Sequence, residues 1–164
     1  MEDKNGQFER LMRIFSNFRN SHLNSIRLHF SKSEFMTLSE IIINAAGFDI
    51  TKSPVGIGVS MKELSKTLKV SPAMITKTIT SLEKNDNVKR LSDEDDRRGV
   101  KVCITQIGFD RWREEHRYRC EFMESVFERF GFEKTNQLFD MVEELIQITS
   151  EETEKELKQN RKER

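Results

Sequence analysis

Arg97 and Arg98 follow directly on four acids, Asp93, Glu94, Asp95 and Asp96, within the stretch KRLSDEDDRRGVKVCIT from Lys89 to Thr105. A guanidinium is planar and weakly hydrated, so it can enter a narrow, strongly negative groove such as the minor groove of A·T-rich DNA. In an arbitrary charged loop the acids would simply cancel the arginines in solvent. A second set lies upstream in SPAMITKTITSLEKN. There Ser71, Ala73, Thr76, Lys77 and Thr80 stand clear of the helical stripe set by Ile75, Ile79 and Leu82. Hydroxyls can donate to phosphates or base edges, Ala and Thr methyls can touch thymine methyls, and Lys77 can reach a phosphate or a guanine. An ordinary solvated helix face is the plain alternative. The chemistry open to both sets is contact with a polyanion, not bond making. Asp96 is assigned the orienting of an arginine, because a carboxylate facing phosphates would repel them.

The elements that must position these residues are legible from spacing and caps. Ser71 is the N-cap of a helix with Pro72 at its first position, where a missing N–H costs nothing. Before it, Ser60 and Glu63 form a capping box, and Met61, Leu64 and Leu68 mark a short helix ending near Lys69. Two short helices about a tight turn make a helix-turn-helix. After it, Val88 to Leu91 and the alternation of Val100, Val102 and Ile104 with Lys101 and Cys103 predict a two-stranded hairpin with one face inward. The sum is a winged helix.

Upstream, Phe8, Leu11, Phe15, Phe18 and His22 or Leu23 recur at three and four, predicting one long helix from Asn5 to Phe30. Ser31 and Glu34 then open a second helix lined by Phe35, Leu38, Ile42 and Ala45 and stopped by Gly47. FDITKSPVGIG reads as a loop. Downstream, Phe109, Trp112, His116, Arg119 or Cys120, Met123, Phe127 and Phe130 form one stripe; Gly131 ends it, and Leu138, Val142, Leu145 and Ile148 form another. Apolar helices at both ends exceed what a small winged helix can cover and are best buried against a second copy, so a homodimer is expected. In the last stretch, Glu151 with Lys155 and Glu154 with Lys158 suggest a solvated, fraying helix end.

Composition agrees with these elements. Of the 164 residues, 34% are charged and 35% hydrophobic, and only two are proline, which suits a mainly α chain of one domain. No apolar run approaches a membrane span and no signal peptide is evident, so the expected location is the cytoplasm and no membrane partner is expected. The net charge of zero hides a gradient: residues 60 to 105 carry ten Lys or Arg against seven acids, residues 106 to 164 eleven against fifteen. A nucleic-acid binder needs basic charge on one surface only. Cys103 and Cys120 have no metal-ligand spacing and read as ordinary reduced thiols, and His22, His29 and His116 read as packed or interface histidines, with no pair at ligand spacing. No glycine-rich phosphate loop, nucleophile and base motif or catalytic carboxylate pair is present, so neither an enzyme nor a cofactor or metal is expected.

The run DEDDRRGVKVCITQIG from Asp93 to Gly108, with MKELSKTLKVSPAMITKTITSLEKN before it, resembles the MarR family of bacterial winged-helix transcription regulators. The family's wing pattern is Asp, about two residues, Asp-Arg-Arg, an alternating strand, Leu-Thr, then Gly. The order of a long first helix, helix-turn-helix, wing and two C-terminal helices extends the resemblance over nearly the whole chain. It implies that Asp96 and Arg98 hold the family's wing positions, with the wing in a minor groove and the recognition helix in the adjacent major groove. It also implies a small aromatic or phenolic effector near the first, second and fifth helices. Some relatives sense peroxide through a cysteine near the chain start, where this sequence has none. Asp86 and Asn87 stand where the family usually has Gly then Leu, Ile104 replaces the usual Leu, and residues 48–59 exceed the usual connection. The expected architecture is mainly α, a winged helix-turn-helix with a two-stranded wing over residues 33–105, flanked by dimerisation helices over residues 1–32 and 106–164. The expected function is a sequence-specific DNA-binding transcriptional regulator, a repressor on a palindromic operator. The alternative is a winged-helix protein-interaction scaffold without specific DNA binding.

Overall fold

A single serine determines where the second helix begins. The Ser31 hydroxyl accepts the Glu34 N–H, and the Glu34 carboxyl accepts the Ser31 N–H at 2.9 Å, a complete capping box. In the computed structural model, which describes residues 4–20, 28–47, 52–92 and 99–162, this cap opens α2 (Lys32–Ala46). The preceding helix, α1 (Lys4–Asn20), does not run on to Phe30: residues 28–31 are non-helical, and His22 and Leu23 lie outside the described residues. Ser31 must take an extended backbone to cap, φ −64° and ψ 164°, which no residue inside a helix can adopt. Phe30 is thereby turned into the core at 3% exposure.

The remaining elements are β1 (Val59–Ser60), α3 (Met61–Thr67), α4 (Pro72–Lys84), β2 (Val88–Ser92), β3 (Val100–Ile104), α5 (Gln106–Phe130) and α6 (Phe132–Lys162). The sheet has three strands in the order β1-β3-β2, all antiparallel, rather than the two expected. Val59 pairs with Val102 on one side of β3, and Val88 with Ile104 on the other. The extra strand takes Val59, the last residue of the connection expected over residues 48–59, and Ser60, expected as a helix cap; two residues are too few to show a period of two. Ser60 caps α3 through its backbone alone, without the expected side-chain bond, because it is also the last residue of β1, paired with Lys101. Val102 and Ile104 point inward as expected, but Val100 is 42% exposed, since it pairs with Ser92 at the outer end of the hairpin. Cys103 is buried as well.

The core gathers Leu38, Ile41 and Ile42 of α2, Leu64 of α3, Ile75, Ile79 and Leu82 of α4, Val102 and Ile104 of β3, and Phe109 and Trp112 of α5. Each comes from the apolar stripe or alternation of its own element. The chain divides into two compact units, Met1–Tyr118 and Arg119–Arg164. Within the second, Gly131 at φ 98° separates α5 from α6, the Thr135 hydroxyl donates to the Gly131 carbonyl at 3.0 Å, and Phe127 meets Phe139 edge to face at 5.6 Å. Near the end of α6, Lys158 pairs with Glu154 as expected, but Lys155 pairs with Glu152, while Glu151 accepts from Gln147.

Candidate nucleic-acid interface

The turn between α3 and α4 is held by a reciprocal pair. The Ser65 hydroxyl donates to the Val70 carbonyl at 2.7 Å, and the Val70 N–H returns to the Ser65 carbonyl at 3.1 Å. Between them Lys69 takes the left-handed conformation, φ 52°. Ser71 then caps α4, its hydroxyl oxygen accepting the Met74 N–H at 3.2 Å, with Pro72 opening the helix. Ile75, Thr78, Ile79 and Leu82 are buried, whereas Ser71, Ala73, Thr76, Lys77 and Thr80 are all exposed. Spacings of three, four and seven place Ala73, Thr76, Lys77 and Thr80 on one stripe of the helix.

Hydrogen bonding narrows what that stripe can offer. The Thr76 hydroxyl donates to the Pro72 carbonyl at 2.8 Å, and the Thr80 hydroxyl to the Thr76 carbonyl at 2.9 Å. Both protons are committed to the backbone, so each threonine presents a methyl group and an accepting oxygen. In this arrangement neither donates to a phosphate or a base. Lys77 and the cap hydroxyl of Ser71 supply the donors.

The far end of α4 is locked to the start of α5. Asp86 fills the left-handed position, φ 56°, at the place where the resemblance puts a glycine. Aspartate tolerates that region better than most side chains. Asn87 is buried, its side-chain oxygen accepting from Arg111 Nη1 at 3.0 Å, while the same Nη1 reaches the Asn85 carbonyl at 3.0 Å. The Thr105 hydroxyl donates to the Asp86 carbonyl at 2.6 Å and accepts the Gly108 N–H at 3.0 Å, and the Thr105 N–H donates to the Asn87 carbonyl at 3.0 Å. Thr105 and Gly108 of the wing motif thus serve the junction behind the wing.

The base of the wing contributes a residue that sequence reasoning missed. Arg90 on β2 reaches α4, where Nη1 pairs with the Glu83 carboxylate and Nη2 donates to the Thr80 hydroxyl oxygen at 2.8 Å. Glu83 and Thr80 are three apart on one helix face, which is the detectable part of the signal; the strand register that brings Arg90 over them is not written in either segment. Asp93, Asp96, Arg97 and Arg98 lie outside the described residues.

Two further contacts brace α4 and α5 from behind. The Ser81 hydroxyl donates to Glu34 at 2.7 Å, tying α4 to the cap of α2. Burial raises the Glu34 pKa, but the hydrogen bonds from the Ser31 hydroxyl, the Ser31 N–H and Ser81 outweigh it and hold the carboxyl below its ordinary range. On α5, Trp112 stacks against Phe35 and Phe109 at 6.2 Å each and donates its indole N–H to Ser39 at 2.9 Å. His116 stacks on Trp112 at 4.7 Å, and partial burial lowers its pKa. Packing thus occupies His116, while the His29 ring pairs with Glu114 at 2.7 Å.

A helix-turn-helix backed by a three-stranded sheet, with a polar stripe on its second helix, defines a winged-helix protein. Residues 57–100, from before β1 to the first residue of β3, match the model of the MarR family. Solved structures share the fold. The apo form of wild-type MarR from E. coli superposes with a TM-score of 0.65 at 20% identity, over 84% of this chain and 95% of that one. Streptococcus pneumoniae FabT in complex with DNA gives 0.61 at 22% identity, over 91% and 99%. A mutant of S. aureus MepR bound to an oligodeoxyribonucleotide gives 0.54 at 14% identity, over 85% and 95%. The search of curated proteins found no match. None of the helices among the described residues is long and apolar enough to cross a membrane.

Proposed function

We propose that this protein is a DNA-binding transcriptional regulator that acts as a homodimer on a two-fold operator, represses from it, and responds to a small aromatic or phenolic effector. The observation that carries the reading is the two-sided character of α4: a buried apolar back and an exposed stripe of Ala73, Thr76, Lys77 and Thr80. Such a helix can enter a major groove without leaving large apolar surface in water. FabT and MepR, which share the fold, have been solved with DNA. A protein-interaction scaffold would call for a large apolar side chain within that stripe, which has none; the exposed Met74 stands on the adjoining flank of α4.

In this reading residues 33–105 form the DNA-binding part, and residues 1–32 and 106–164 the dimerisation part. Taken separately, α1 exposes Phe8, Phe15 and Phe18, and α6 exposes Phe132, Met141 and Ile146, more apolar surface than a monomer usually leaves open. A second copy is the occupant that a two-fold operator requires. Such a partner also implies a cytoplasmic location. Ser71 and Lys77 donate to the DNA, Ala73 and Thr76 offer methyls, Thr80 receives Arg90, and Arg97 and Arg98, between β2 and β3 in sequence, are assigned to the minor groove with Asp96 to orient them.

The wing part of this proposal is tested by substitution. Arg98→Ala should weaken operator binding at least about tenfold at fixed salt, roughly the loss of one good guanidinium contact. The check is a fluorescence anisotropy titration of wild type and variant on the same duplex. An unchanged dissociation constant would remove the wing from the interface.

A further inference from the structure

The contact between Arg90 and Glu83 points beyond simple support of the wing. A guanidinium at the wing base, beside a helix face that meets DNA, is well placed to take a phosphate. Here two of its N–H donors are already taken by α4. Glu83 supplies the anion, and the Thr80 oxygen, whose own proton goes to the Thr76 carbonyl, supplies a second acceptor. Both partners are partly open to solvent, with side-chain exposures of 31% for Arg90 and 37% for Glu83, so a phosphate could reach the arginine if the carboxylate charge were removed.

We propose that Glu83 acts as an internal substitute for a phosphate, holding Arg90 back from sequence-independent DNA contact and so sharpening the discrimination between operator and random DNA. The inference rests on the DNA-binding reading above. Its physical basis is that phosphate contacts supply affinity for any sequence through counterion release, while base contacts supply specificity. A cation neutralised by its own carboxylate releases no counterion when DNA arrives. The carboxylate also repels the backbone of every duplex equally. Glu83 is therefore a positioning and specificity-setting residue, with no need to touch a base.

The test is the salt dependence of binding by the full-length protein to a random-sequence duplex, measured for wild type, Glu83→Gln, Arg90→Gln and the double variant. Glutamine keeps an acceptor for Arg90 while removing the charge. In Glu83→Gln the slope of log K against log salt should steepen by about 0.9 per subunit, one more phosphate neutralised by each, which for the dimer is roughly a twelvefold greater loss of affinity between 50 and 200 mM salt. Affinity for random DNA should rise more than affinity for a selected operator. Removing Arg90 as well should cancel the change in slope. An unchanged slope in Glu83→Gln, or a steepened slope that persists without Arg90, overturns the inference. Wild-type protein with no affinity for any duplex at low salt would instead overturn the DNA-binding reading beneath it. Arg90→Gln alone guards against a folding defect confined to the Glu83 variant: its slope should equal that of wild type, because the paired arginine contributes no counterion, and a shallower slope contradicts the proposal.

Discussion

Gly108→Ala should lower the unfolding free energy by about 3 kcal/mol, the upper end of the usual cost of overpacking. A Cβ at this position would lie 2.1 Å from the Asn87 carbonyl oxygen and 2.8 Å from the Asn87 carbonyl carbon and Cα. All three are backbone atoms, so no side-chain rotation relieves the clash. The backbone has little freedom to move either. Thr105 bonds to Asp86 and Asn87, and Arg111 bonds to Asn85 and Asn87, holding the turn from both sides of the glycine. Relief requires α5 to lift from the end of α4, which exposes Phe109 and Trp112. Urea denaturation of wild type and variant should show the loss as a lower midpoint at similar slope. Equal midpoints would mean that α5 does not approach Asn87 this closely.

Glu115→Ala should cost a comparable amount, about 3 kcal/mol, for a different reason. Glu115 on α5 is completely buried, and its Oε2 accepts the His29 N–H at 2.9 Å and the Phe30 N–H at 3.0 Å. These are the two residues ahead of the Ser31 cap. Alanine would leave both donors without this acceptor and open a cavity beside Phe30; each unsatisfied buried donor costs about 1–3 kcal/mol. Glu115→Gln should recover part of the loss, because an amide oxygen still accepts. Chemical denaturation of the three proteins checks the order wild type, Gln, Ala. Alanine and glutamine variants of equal stability would show that the carboxyl does not anchor this segment.

These two anchors illustrate what a sequence hides. The Ser31 and Ser71 caps, the buried stripe of Ile75, Ile79 and Leu82, and the pairing of β2 with β3 are all legible, because each depends on residues close in the chain. The non-helical course of residues 28–31 is not: the apolar spacing continues past Asn20, whereas Ser31 takes an extended backbone to cap α2 and Glu115, 85 residues further on, accepts the Phe30 N–H. Strand β1 escapes for want of length. Ser60 shows how one residue can carry a local capping signal and still be claimed by a strand formed across the sheet. At the interface, the exposed stripe of α4 follows from periodicity, whereas the role of Arg90 depends on a register between strand and helix that neither segment encodes alone. The use of the Thr76 and Thr80 protons by the backbone likewise becomes visible only when the helix is built.

The relation between α4 and the wing gives the central claim its sharpest form. A helix with an apolar back, a short polar front and an arginine-bearing hairpin beside it has a shape suited to one groove and its neighbour. Two such units, related by a dimer axis, would read two half-sites about one helical turn apart, roughly 34 Å. The most direct measurement is selection of bound sequences from a random DNA pool with the full-length protein at physiological salt. Enrichment of a palindrome with that half-site spacing is the predicted result. A pool that shows no enrichment over successive rounds would contradict sequence-specific regulation by this protein.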